Sequence, residues 1–134
     1  MKKLFGLLIV IACSALAFAA NWPPSIVGTW VGFGNQAELK LVITNQGGAG
    51  ECKAITGTLS NLPSGGASNI QGFYCPSTGR VSFVRKDITS NATFQSYTAN
   101  VSDVGPELRM AGTFAEVNFV GHLGEYNFSV QKRE

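Results

Sequence analysis

The chain has 134 residues, of which 45% are hydrophobic, 13% are charged and 16 are glycine. This length suits one domain, and the composition excludes a disordered tail and a coiled coil. Its net charge of +2 includes Lys2 and Lys3; without these two of the ten basic residues, eight remain against eight acidic ones. Because nucleic-acid binding needs a surplus of positive charge, we do not expect it here.

The N-terminus has the features of an export signal. Met1-Lys2-Lys3 precedes an apolar run over residues 4–12, and Ala17 and Ala19 are the small residues of a cleavage site. We predict a signal peptide over residues 1–19 and a single mature domain over residues 20–134, secreted or periplasmic in a bacterium. An alternative stays open: Val10-Ile11-Ala12-Cys13 also resembles a lipobox, in which a lipidated Cys13 would make the chain an outer-membrane lipoprotein.

Cys52 and Cys75 are the two cysteines beyond this leader. An even number in an exported chain predicts one disulfide, which closes a loop of about 23 residues and contributes about 3 kcal/mol in the chain-entropy model. Two cysteines and the single histidine, His122, without C-x-x-C spacing do not predict a metal site.

The rest of the sequence breaks at Gly, Pro, Asn and Ser clusters into runs whose apolar residues recur at every second position. This period is typical of strands and not of helices. We predict eight strands, over residues 26–33, 37–44, 52–60, 69–75, 80–86, 93–101, 107–117 and 124–132.

The alternation also predicts the architecture. Leu39, Leu41 and Ile43 share one strand face, and Glu38 and Lys40 lie on the other. No helix is predicted that could cover the edge of a sheet of eight such strands. An all-β, antiparallel up-and-down barrel is therefore the simplest architecture, because closing the sheet leaves no unpaired edge. A barrel of this size is either filled by its own side chains or holds one small ligand.

Several motifs resemble the avidin and streptavidin group of barrels, and more distantly lipocalins. The first strand carries Gly28-Thr29-Trp30, the third carries Thr56-Gly57-Thr58, and the fourth carries Gly72-Phe73-Tyr74. Residues 79–84 and 110–114 resemble the fifth and seventh strands of that group. The resemblance implies an avidin-like barrel, with Gly28 and Trp30 in structural roles.

The same resemblance implies that Trp30 closes one barrel end and packs against Lys132 or Arg133. It also shows what is missing. Leu59 stands in place of the biotin-contacting tyrosine of the third strand, and no tryptophan stands near residues 83–84 or 112–113, where avidin-like proteins enclose biotin. We therefore expect a ligand other than biotin.

The sequence predicts no catalytic residues, no cofactor and no enzyme. His122 is interpreted as an exposed turn residue, and most carboxylates are expected at turns or on solvent-exposed strand faces. The one basic cluster, Arg80, Arg85 and Lys86, is interpreted as a solvated strand face, with a site for an anionic partner as the alternative.

Our main hypothesis is a non-enzymatic barrel that binds a small apolar or amphipathic ligand. The mouth is expected at loops 34–36, 61–68 and 87–91, and homo-oligomerisation stays open. The candidate contacts are the inward-facing residues Leu41, Leu59, Phe83, Tyr97, Met110 and Phe114. The alternatives are an envelope lipoprotein, or a protein-binding module such as a periplasmic protease inhibitor that uses residues 21–25, stiffened by Pro23 and Pro24, as an extended trunk.

Overall fold

A computed structural model describes residues 22–63, 65–102 and 106–134, and the predicted leader and Cys13 lie outside these ranges. Eight antiparallel strands form a closed barrel in which each strand pairs with its neighbour in sequence and β1 pairs with β8. The strands are β1 Gly28–Gly34, β2 Ala37–Gly47, β3 Lys53–Leu62, β4 Ser68–Cys75, β5 Arg80–Lys86, β6 Thr93–Ser102, β7 Arg109–Asn118 and β8 Gly121–Arg133. The predicted all-β up-and-down barrel is confirmed.

Alternation of side chains fills the barrel interior. Leu39, Leu41 and Ile43 of β2 are buried, while Glu38 and Lys40, which point to the other face of the strand, are exposed. The same two-residue period continues around the barrel because successive strand side chains point to opposite faces. The interior therefore holds one continuous apolar core.

Two glycines show how closely the strands approach inside the barrel. A Cβ atom at Gly57 would overlap the carbonyl oxygen of Val42 on β2, and one at Gly112 would overlap the carbonyl oxygen of Thr98 on β6. Glycine allows this close backbone approach where a closed sheet bends.

The chain before β1 covers one end of the barrel. Ile26 is fully buried, and its carbonyl oxygen accepts a hydrogen bond from Trp30 Nε1 at 3.0 Å. The Tyr74 hydroxyl donates to the carbonyl of Pro23 at 2.6 Å, and Gln46 Nε2 donates to that of Pro24 at 2.8 Å. We call this the closed end.

Three irregularities interrupt the strand pairing. One lies between Ile43 and Asn45 on β2, one between Arg85 and Lys86 on β5, and one between Glu116 and Val117 on β7. Such bulges bend a strand and redirect the side chains beside them. The last two occur near the end of the barrel opposite the closed end, where the candidate site lies.

Candidate functional site

The end of the barrel formed by the β1–β2, β3–β4, β5–β6 and β7–β8 connections is open. Here the interior is not filled, and a cavity of about 400 Å³ remains, which we call the cup. Its lining consists of hairpin residues Gly34, Asn35, Gln36 and Ala37, apolar or aromatic residues Leu39, Tyr97, Phe114 and Tyr126, and polar residues Asn61, Arg85, Gln95 and Glu116. This volume lies within the range of small-molecule sites.

Aromatic rings form one wall of the cup. The Tyr97 and Phe114 rings stack with centroids 5.0 Å apart, and Tyr126 follows Phe114 at 5.3 Å. On the core side, Phe83 stacks on Tyr97 at 4.6 Å. The series crosses β5, β6, β7 and β8 and gives the cup a rigid apolar surface suited to a planar or hydrocarbon group.

A hydrogen-bonded network forms the other wall. Arg85 Nη1 donates to Asn61 Oδ1 at 2.8 Å and to Gln95 Oε1 at 3.1 Å. Gln95 Oε1 also accepts a hydrogen bond from the Tyr97 hydroxyl at 2.9 Å, and Gln95 Nε2 donates to Glu116 Oε1 at 3.2 Å. Gln95 thus connects a cation, a phenol and a carboxylate, and this network fixes the polar wall.

Arg85 is the unusual member of that network. The residue is 7% exposed, and its Nε atom is buried with no hydrogen-bond acceptor among the residues that the structure describes. Its guanidinium carbon lies 5.1 Å from the centroid of the Phe94 ring. The prediction that Arg85 lies on a solvated strand face is wrong, because the residue follows Phe83 in the inward register of β5.

Tyr97 joins the two walls. Its ring is buried against Phe83 and Phe114, and burial raises the pKa of its hydroxyl to about 12, with Arg85 opposing the increase and Glu116 adding to it. The hydroxyl is therefore neutral at physiological pH and keeps donating its hydrogen bond to Gln95.

The β5–β6 connection, one of the predicted mouth loops, is held by Asp87. Its carboxylate accepts hydrogen bonds from the Ser90 backbone N–H at 2.7 Å, the Ser90 hydroxyl at 2.9 Å and the Thr89 N–H at 3.0 Å. These bonds to Ser90 and Thr89 lower the pKa of Asp87. The loop therefore has a defined shape beside the cup.

Of the six predicted ligand contacts, the structure places two at the cup. Tyr97 and Phe114 line it, whereas Leu41, Leu59, Phe83 and Met110 are buried in the core at 2% exposure or less. Sequence reasoning placed Asn61 in a mouth loop but did not name it as a contact, and it missed Arg85, Gln95 and Glu116 as site residues. These residues could have been found from the strand alternation, because each polar residue takes an inward position next to apolar ones. Arg85, for example, has the same inward position as Val81 and Phe83 on β5.

The other predicted residues have clear positions. Cys52 and Cys75 form the predicted disulfide, which joins the start of β3 to the end of β4. Gly28 begins β1 with φ of 140°, a backbone conformation that favours glycine, and a Cβ there would lie 2.8 Å from Lys132 Cε. Trp30 is fully buried at the closed end and pairs with Lys132 across β1 and β8.

The structure also locates the features of the rival hypotheses. Residues 22–26 pack on the closed end instead of projecting from it, and Asn21 lies outside the described ranges. His122 is exposed at the start of β8. Within residues 22–63, 65–102 and 106–134, no group of three or more His, Cys, Asp or Glu side chains could hold a metal.

A second concavity, the terminal groove, lies at the closed end. Its volume is about 540 Å³, and it is lined by Pro106, Glu107, Leu108, Lys132, Arg133 and Glu134. Unlike the cup, the groove is lined by none of the buried polar side chains of the described residues.

In the part of the chain that the structure describes, no helix is long and apolar enough to span a membrane.

Comparison with known proteins adds no relative. No protein-family model matches the chain, and no curated protein is detectably similar to it.

Proposed function

We propose that this protein is an exported, non-enzymatic β-barrel that binds a small amphipathic ligand in the cup. The observation that carries the proposal is the composition of the cup: a stack of aromatic rings lies deeper in the barrel, and a buried hydrogen-bonded network lies next to it toward the mouth. Binding sites commonly combine an apolar surface with a few placed polar groups. The apolar part of the ligand lies on Tyr97, Phe114 and Tyr126, and its polar part faces Arg85 and Asn61.

The depth of the cup limits the ligand. Leu41, Leu59, Phe83 and Met110 fill the interior beneath it, so a long acyl chain has no tunnel to enter. Tyr97, Phe114 and Leu39 form the buried apolar part of the lining. A compact molecule therefore fits better than an extended lipid.

The barrel is compatible with an avidin-like fold, and we propose this kinship on the motifs that begin with Gly28-Thr29-Trp30. The cup nevertheless lacks the tryptophans that surround biotin in that group. Its lining presents tyrosine and phenylalanine, with a buried arginine next to them on the mouth side. We therefore expect that biotin is not the ligand.

Native mass spectrometry of the mature protein isolated from its own cells tests the proposal. We expect a stoichiometric adduct of small mass on the wild-type protein. Ala37→Phe should abolish the adduct, because Ala37 lines the cup and a phenyl ring there occupies its volume. Ala111→Phe is the matched control, since Ala111 is exposed on the outer face of β7.

The control variant should keep the adduct and the same melting temperature as the wild-type protein. An adduct that survives Ala37→Phe would place the ligand outside the cup. A bare chain in all three samples would contradict the proposed function.

A further inference from the structure

No carboxylate of the described residues lies within ion-pair distance of the Arg85 guanidinium. Both hydrogen bonds of its guanidinium leave from Nη1 and end on the neutral amide oxygens of Asn61 and Gln95. Among the described residues, the one ion pair joins Arg109 and Glu107, away from the cup. A buried arginine stays charged, and buried charges are normally paired because desolvating them is costly.

Glu116 does not fill that role. It is the other charged residue of the cup, but its Oε1 accepts from Gln95 Nε2, so the amide of Gln95 stands between the carboxylate and the guanidinium. Arg85 Nε is buried and has no acceptor within the described ranges. The polar wall therefore has a cation with unused donor capacity and a carboxylate held apart from it.

We infer that the cup recognises a carboxylate: its ligand is a compact, planar monocarboxylic acid whose anion binds Arg85 while its apolar body lies on Tyr97 and Phe114. This inference rests on the proposed function and names the ligand class for the same site. A guanidinium matches a carboxylate in geometry and charge. Glu116 disfavours a second negative charge, so a monoanion fits better than a phosphate dianion.

The test compares two probes of nearly equal shape, 1-naphthoate and neutral 1-naphthamide, by isothermal titration calorimetry with the full mature protein. We expect 1-naphthoate to bind roughly tenfold or more tightly than 1-naphthamide, the factor that hydrogen bonds to a charged group commonly provide. Ala37→Phe should abolish binding of both probes.

Two cup variants should change the affinity for 1-naphthoate in opposite directions. Arg85→Gln should weaken it roughly tenfold, because the counter-charge is lost. Glu116→Gln should strengthen it roughly threefold, because it removes a nearby negative charge and keeps an oxygen to accept from Gln95 Nε2. Both variants should change 1-naphthamide binding several-fold less than 1-naphthoate binding, because the neutral amide carries no charge for either side chain to attract or repel.

Arg80→Gln is the matched control, since Arg80 is exposed on the same strand as Arg85. It should leave both affinities unchanged. Equal binding of the two probes, or a loss of 1-naphthamide binding in a folded Arg85→Gln protein, would overturn the carboxylate assignment and leave the proposed function intact. Failure of both probes to bind the wild-type protein would overturn both.

Discussion

Tyr97 and Tyr74 occupy comparable positions near opposite ends of the interior. Each ring is about 1% exposed or less, and each hydroxyl donates a hydrogen bond, Tyr97 to Gln95 and Tyr74 to the carbonyl of Pro23. Burial raises the pKa of both residues from 10.0 to about 12. Both tyrosine hydroxyls are therefore uncharged at physiological pH inside the apolar barrel.

This shift predicts how stability depends on alkaline pH. A pKa raised in the folded state gives stability that is fully present below the unfolded pKa of 10.0 and is lost as the pH rises toward about 12. The linked free energy of unfolding is on the order of 2 kcal/mol for Tyr97 and smaller for Tyr74, whose hydroxyl lies in a partly buried position where solvent screens the interaction. Urea unfolding between pH 8 and pH 12 should show the decrease.

Tyr74→Phe and Tyr97→Phe should each flatten that pH dependence, and Tyr126→Phe is the control because its hydroxyl is not among the buried ones. A decrease of equal size in all three variants and in the wild-type protein would contradict the assignment to Tyr74 and Tyr97.

At the scale of the elements, the interior glycines let strands approach closely. Gly57→Ala should lower the free energy of unfolding by about 1–3 kcal/mol, because the new Cβ overlaps the Val42 carbonyl oxygen and the backbone must move. Gly47→Ala is the control, since Gly47 is exposed on β2 with open space around it. Chemical denaturation measures both.

Gly47→Ala should change stability by less than about 0.5 kcal/mol. Equal effects of the two substitutions would mean that the barrel does not need the close approach at Gly57.

Most strands could be predicted from the sequence because alternation and turn residues act over short distances. β5 has the predicted bounds, Arg80–Lys86. The other strands differ from the predicted bounds by one to three residues at an end, and two of these differences have a clear physical reason. Ile26 was assigned to the first strand because it is apolar, but it is buried in the segment that covers the closed end. The last hairpin is tighter than predicted because exposed residues such as Leu123 gave no clear alternation.

The cup was harder to predict because it depends on pairing and bulges. Arg85, Gln95 and Glu116 come from β5, β6 and β7, and their register partners are set by neighbouring strands. The register shifts after Arg85 and Glu116 cannot be recognised from the residue types around them. The aromatic half, Tyr97 and Phe114, was predicted because these residues follow the plain two-residue alternation.

At the scale of the whole molecule, the two barrel ends have different roles. The closed end is sealed by Ile26 and Trp30 and strengthened by the disulfide between Cys52 and Cys75. The open end leaves polar and aromatic side chains around a cavity. This arrangement leaves the cup accessible at the open end, as the proposed binding of one small ligand requires.

NMR titration of ¹⁵N-labelled mature protein with 1-naphthoate, and separately with 1-naphthamide, tests most directly whether the cup, and not the terminal groove, is the binding site. We predict the largest shifts at the amides of Asn35, Gln36 and Ala37 and at the side-chain amides of Asn61 and Gln95, with Leu108 and Lys132 unchanged. Shifts confined to the terminal groove, or no shifts with either probe, would contradict the account.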